Sequence, residues 1–316
     1  MNKLQNIFLI VLSVVLLLGC QSASKEDDKM LNVGVMASMD YLPLAVAQRE
    51  GYFKSVGVDV KLHKFYSANE RDAAFQSKAV DGCVIDYTGA VLQKSGGVDL
   101  RLVSRCDAPF FIVANKNSQI VSLADLKGKK IAVSQNTVID FVVDMALKSV
   151  ELTAKDIEKA EVNKIPLRFE LLKNGKIDAT GLPNPFALML EKEEHPILTS
   201  NNELGFDITG IMFHSNVIDN NLEDVKKLYQ AYNMGVDYLK THSLAEIKDI
   251  LVKELAFPEG IADQVSLPNY TYAQTPKIED LEMTTKWLHH RGLVDQNFDT
   301  NSLLDSSVLV TSDKQE

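Results

Sequence analysis

Three cysteines in 316 residues are too few for a disulfide-stapled scaffold. Basic charge is also short: 33 Lys and Arg stand against 43 Asp and Glu, a formal net charge of −10. Non-specific binding to DNA or RNA needs a basic surface that displaces counterions, so that class is excluded. The apolar run Ile7–Leu18 has 12 residues, short of the roughly 20 that a bilayer-spanning helix needs. No G-x-S-x-G, H-E-x-x-H, P-loop or C-x-x-C occurs, so no familiar enzyme signature is present. His289 and His290 lie late in a charged helical stretch, without a cluster of carboxylates or cysteines. They read as a surface pair, and neither a metal nor a cofactor is expected. What remains is an ordinary globular composition, 46% hydrophobic and 24% charged, long enough for two lobes.

The short apolar run, preceded by Lys3, fits a secretory signal. Leu17-Leu18-Gly19-Cys20 resembles a bacterial lipobox, in which the Cys becomes the lipidated first residue. Residues 1–19 are then a signal peptide, Cys20 is the lipidation site, and residues 20–30 form a flexible tether. The body is expected outside the cytoplasmic membrane, lipid-anchored in the periplasm or at the cell surface. Cys83 and Cys106 sit in apolar strand-like runs. They read as buried free thiols, although an oxidising compartment allows a bridge.

From Leu31 the pattern alternates strand and helix. LNVGVM (Leu31–Met36), VDVKLHKF (Val58–Phe65), Cys83–Ile85 and Leu100–Ser104 read as strands. Asp40 is expected to cap a helix that Gly51 ends, and Ser67 with Glu70 has the capping-box form. The pattern restarts with KIAVS (Lys130–Ser134), the helix after Thr137, extended runs at Ala160–Ile165 and Asp178–Leu182, and Ile208–Phe213. Mostly helix follows. An internal echo supports repeated topology. Lys78–Leu92 lies on Gly175–Met189 without a gap, Asp81 meeting Asp178. Strands alternating with helices predict an α/β fold with mainly parallel sheets.

GYFKSVGVDV (Gly51–Val60), VDGCVID (Val80–Asp86) and DLKGKKIAVSQNT (Asp125–Thr137), with their spacing, resemble the periplasmic binding proteins of bacterial ABC importers. The similar branch is the THI5-like one of sulfonate, nitrate and thiamine-precursor binders. The resemblance covers Met30 to about Asp219. It implies a type II fold of two lobes joined by crossings near Phe111–Asn115 and Thr209–Phe213. Residues 31–113 with 212–316 would form the first lobe and 114–211 the second. It also implies a small-molecule ligand, an ABC permease with its ATPase as partners, and a monomer. A same-fold enzyme acting on a small heterocyclic or carbonyl substrate is the alternative.

Ligands of open α/β sheets bind beyond the C-terminal strand ends, beside helix N-termini. That rule, with the resemblance, selects Ser38, Asp40 and Tyr41, then Ser67 and Asn69, then Asp86 and Tyr87 in the first lobe. In the second it selects Ser134, Asn136 and Thr137, then Asn184 and Phe186, with Thr209 at the crossing. The same loops carry Asp140, Tyr66 and Arg71. Three carboxylates among aromatic rings suit a nitrogen-rich planar ligand, such as a thiamine-precursor pyrimidine, over a sulfonate. No residue is assigned a catalytic role.

Overall fold

The computed structural model describes residues 30–309. The expected signal peptide, Cys20 and all of the tether but Met30 lie outside the described residues.

The first sheet begins with β1 (Leu31–Met36), β2 (Val60–Phe65), β3 (Gly82–Asp86) and β4 (Leu100–Arg105). The second holds β5 (Phe110–Ala114), β6 (Lys130–Val133), β7 (Glu158–Glu161), β8 (Ala179–Pro183) and β9 (Ile197–Ser200). The chain then returns, and β10 (Thr209–His214) joins the first sheet. The orders are β2-β1-β3-β10-β4 and β7-β6-β8-β5-β9. In each sheet one antiparallel strand, β10 or β5, sits between the third and fourth strands of the repeat. The inner strands β3 and β8 are buried along their whole length, as strands covered on both faces must be.

The internal echo is therefore a repeat of topology, and its two aspartates do the same work. The Asp81 carboxylate accepts from the Asn32 N–H at 2.8 Å, and Asp178 accepts from the Lys130 N–H at 2.7 Å. Each fixes the entry of the third strand against the first strand of its sheet.

The expected boundaries shift slightly. Phe110–Ala114 pairs along its length with β8, and Thr209–His214 pairs with β3 and β4. The chain changes sheet in residues 106–109 and 201–208, ahead of the proposed crossings. Ile165 opens a helix, Ile165–Lys173, with Pro166 in its first turn, so the strand there ends earlier than expected. Asp40 does not cap the helix Leu42–Arg49. It lies inside a preceding 3-10 turn, Met39–Tyr41, and takes a hydrogen bond from the Ser38 hydroxyl. Gly51 does follow that helix in the left-handed region, φ +72°. Cys83 and Cys106 are both free and buried.

One apolar core runs between the sheets. It takes Ile85 and Tyr87 from the first lobe, Val138 and Phe141 from the second, and Trp287 and Leu288 from the helix Ile278–His290. The Phe141 ring meets Phe206 and Trp287 edge-on, centroids 5.5 Å apart. Trp287 Nε1 donates to Asp144 at 2.9 Å, and Arg291 bridges Asp140 at 3.0 Å. The C-terminal helices thus tie the start of the helix Val138–Ser149 to the first lobe.

Candidate functional site

The C-terminal ends of β1, β3, β6 and β7 converge on a cavity between the sheets. It has about 40 Å³ of internal space, room for about three waters at ~10–15 Å³ each. From the first lobe it is walled by Met36, Ser38, Asp40, Ala68, Arg71, Val84 and Asp86. From the second come Phe110, Ser134, Thr137–Ile139, Asn163, Ile165 and Arg168, with Thr209 at the return crossing. Close packing shapes the wall: a Cβ on Gly181 would lie 2.9 Å from Ile139.

Six of the expected residues meet here: Ser38, Asp40, Asp86, Ser134, Thr137 and Thr209. Seven do not line it. The Tyr41 hydroxyl donates to the Glu254 carbonyl at 2.6 Å, and Tyr87 is buried in the apolar core. Ser67 caps its helix by accepting from the Glu70 N–H. Asn69 lies on an outer groove with Asp72 and Gln76. Asn136 holds a left-handed turn, φ +61°, and its N–H donates to Asp140. Asn184 accepts from the Leu188 N–H in the first turn of the next helix, and Phe186 packs on Phe169. Tyr66 is exposed. Of the aromatic rings expected to stack on a planar ligand, none lines the cavity; among the described residues the aromatic ring on its wall is Phe110.

The expected surplus of carboxylates is also absent. Asp86 is paired with Arg71, Nη2 to Oδ1, at 2.7 Å. Its other oxygen accepts from the Thr88 hydroxyl, the Gly89 N–H at 3.1 Å and the Val138 N–H at 3.3 Å. The last bond crosses between the lobes and fills a free N–H at the start of the Val138–Ser149 helix. Burial alone would raise the Asp86 carboxyl, but Arg71 and the Thr88 hydroxyl outweigh it and hold it below the usual range. Asp140 is buried against Lys159 and Arg291 and does not line the cavity.

Two charged groups lack such partners. Asp40, 4% exposed, is in no ion pair among the described residues. Burial pushes its carboxyl up to about 6, against the Ser38 hydroxyl and the field of Arg71. Arg168, 1% exposed, meets no carboxylate within ion-pair distance among the described residues. Its guanidinium donates to backbone carbonyls: Val162 at 2.9 Å, Asn163 at 3.2 Å and Gly181 at 3.4 Å. Burial lowers it to about 10, so it remains a cation at neutral pH. The buried Thr209 Oγ1 has no hydrogen-bond partner among the described residues.

Sequence reasoning missed Arg168, and the signal that finds it was already in hand. Continued in the same register, the overlay that puts Asp178 on Asp81 puts Arg168 on Arg71 and Pro183 on Asp86. Both arginines are fourth in the nine-residue helix after the second strand of their lobe. The first lobe supplies its arginine with a carboxylate at the end of β3. The second has a proline there.

A model of the NMT1/THI5 like family matches residues 38–244. A Bacillus subtilis (strain 168) protein, provisionally named aliphatic sulfonates-binding protein, is 25% identical over 262 residues, 78% of this chain and 77% of its own. A Haemophilus influenzae protein provisionally named for thiamine biosynthesis is 32% identical over 161 residues, 49% of this chain and 51% of its own. The alkanesulfonate-binding protein SsuA from Xanthomonas axonopodis pv. citri, bound to MOPS, has a TM-score of 0.75 at 17% identity. That likeness covers 87% of this chain and 98% of that one. The architecture is the two-lobed periplasmic binding protein fold. With most of the chain inside the matched span, this protein belongs to the NMT1/THI5-like family.

Proposed function

We propose that this protein captures a small solute bearing an anionic group between its lobes and delivers it to an ABC importer. Arg168 carries that reading: a buried cation on the cavity wall, in no ion pair among the described residues. An unpaired buried charge is costly, and an anion entering from solvent would neutralise it through charge-assisted hydrogen bonds. The family, and relatives named for sulfonate binding, support the transport role. Closure would be a hinge motion of the two lobes, and the interlobe bond from the Val138 N–H to Asp86 belongs to the closed form. We place the protein outside the cytoplasmic membrane, held by lipid on Cys20, as a monomer that docks on a permease. An enzymatic role has little support. Burial pushes both the Cys83 and the Cys106 thiols well up from their ordinary value, which leaves them inert as nucleophiles.

Native mass spectrometry of protein purified from rich medium tests the reading. The expected result is a non-covalent small mass, lost on mild activation and absent from Arg168→Met. Truncating one partner of a buried charged contact costs about 2–5 kcal/mol, so Arg168→Met should weaken binding at least tenfold. Equal retention by the variant would remove Arg168 from the site. Chemical conversion of the retained compound would favour the enzyme alternative.

A further inference from the structure

Of the four charged groups on the cavity wall, two are in ion pairs and two are not. Arg71 pairs with Asp86 and, beside the cavity, with Asp72. Asp40 and Arg168 have opposite charge and no oppositely charged partner within ion-pair distance among the described residues. They also belong to different lobes. Asp40 stands in the turn after β1, and Arg168 in the first turn of the helix Ile165–Lys173 after β7. A simple anion satisfies Arg168 and leaves a buried carboxylate exposed to its own negative charge. A simple cation does the reverse. Only a ligand with both charges answers both walls, and such a ligand also links the lobes electrostatically as they close.

Building on the solute-binding reading, we propose that the solute is a compact zwitterion. Its ammonium group is directed to Asp40 and its carboxylate or sulfonate group to Arg168. The orphaned Thr209 hydroxyl offers a further hydrogen bond to either end. The small internal space, about 40 Å³, favours a small ligand. The Ser38 hydroxyl already donates to one Asp40 oxygen, which leaves the other lone pairs for a donor from the ligand.

The test compares matched probes by titration calorimetry on the wild-type protein. Glycine, β-alanine and 2-aminoethanesulfonate are the zwitterions; acetate, propionate and ethanesulfonate are the same acids without the amine. At least one zwitterion should bind tenfold or more tighter than its amine-free partner, and the carboxylate and sulfonate arms distinguish the acid group. Asp40→Asn should bring that ratio close to one, whereas Arg168→Met should weaken both members of the pair. Circular dichroism checks that each variant is folded, and the wild-type ratio does not depend on either. Equal affinity within every pair, or no zwitterion binding, overturns the inference. If the amine-free acids bind alone, solute capture stands and only the zwitterion falls. If neither class binds and native protein carries no small mass, solute capture itself falls.

Discussion

Asp40→Asn should make the free protein more stable, and the gain should depend on pH. The substitution keeps the shape, and an oxygen remains for the Ser38 hydroxyl. Burial pushes the Asp40 carboxyl from 3.8 to about 6, and each unit corresponds to about 1.4 kcal/mol, so the ionised form costs about 3 kcal/mol. The sign follows from linkage. The folded state holds this proton more tightly than the unfolded chain, so the associated stability is present below about pH 4. It is lost as pH rises through about 6. The asparagine has no proton to lose. The variant should therefore match the wild type near pH 4 and exceed it by about 2–3 kcal/mol at pH 8. Arg71 and Asp86, whose fields act on Asp40, stay charged across this window. His195 and His214, both lowered by burial, titrate in both proteins and cancel in the difference. Urea unfolding at pH 4, 6 and 8, without added solute, measures it. A variant less stable at pH 8, or a difference that does not change with pH, would refute the reasoning. A stabilising substitution at a cavity residue is what a retained functional charge predicts.

Asp86→Ala should act in the opposite direction. It leaves the buried Arg71 guanidinium with Asp72 alone and removes a helix cap and an interlobe bond, so about 2–4 kcal/mol should be lost in urea unfolding at pH 7. A loss under 1 kcal/mol would mean that the pair is not load-sharing. Because the Asp86 carboxyl is held low, its stabilisation is present above about pH 4 and disappears as pH falls through the depressed value, in wild type only. Pro183→Asp should rebuild in the second lobe the pair that the first lobe has. It should stabilise the solute-free protein and weaken binding of an anionic probe such as ethanesulfonate at least tenfold. Unchanged binding would separate Arg168 from the ligand.

Much of the fold was legible because hydrophobic period is a local property. The buried run LNVGVM, the cap at Ser67 and the left-handed Gly51 each announce themselves within a few residues. Asp81 and Asp178 could be matched because each sits one strand-entry from its target. The insertion of β5 and β10 was not legible. Both read as extended, but which sheet an extended segment joins is decided by partners about 65 to 130 residues away in the chain. The cap expected of Asp40 fails for a related reason. An aspartate ahead of an apolar helix has the composition of a cap, but a 3-10 turn takes it in instead, while the strand-end rule alone puts it on the cavity wall, where it stands.

Six of the thirteen residues expected at the site line one cavity, and the charge balance expected there differs from the one found. Strand ends and helix starts pick out the loops around that cavity, because that rule depends on topology alone. Sign and surplus depend on pairing, and pairing is tertiary. Asp86 looks free beside Tyr87 and Thr88, yet Arg71 arrives from the preceding helix, and Asp140 is taken by Lys159 and Arg291. Arg168 looks like one more polar residue on a helix. Its meaning comes from comparing the lobes. The same arginine stands at the same place in both, but β3 ends in Asp86 and β8 in Pro183. In the first lobe the arginine is neutralised by Asp86 and Asp72, and Asp86 helps to hold the lobes together through the Val138 N–H. In the second no carboxylate lies within ion-pair distance of the arginine among the described residues. A repeated framework that keeps its cation and drops the partner leaves that place open to a charge from solvent, and on the proposed function this asymmetry is what would turn a pair of similar lobes into a binding cleft.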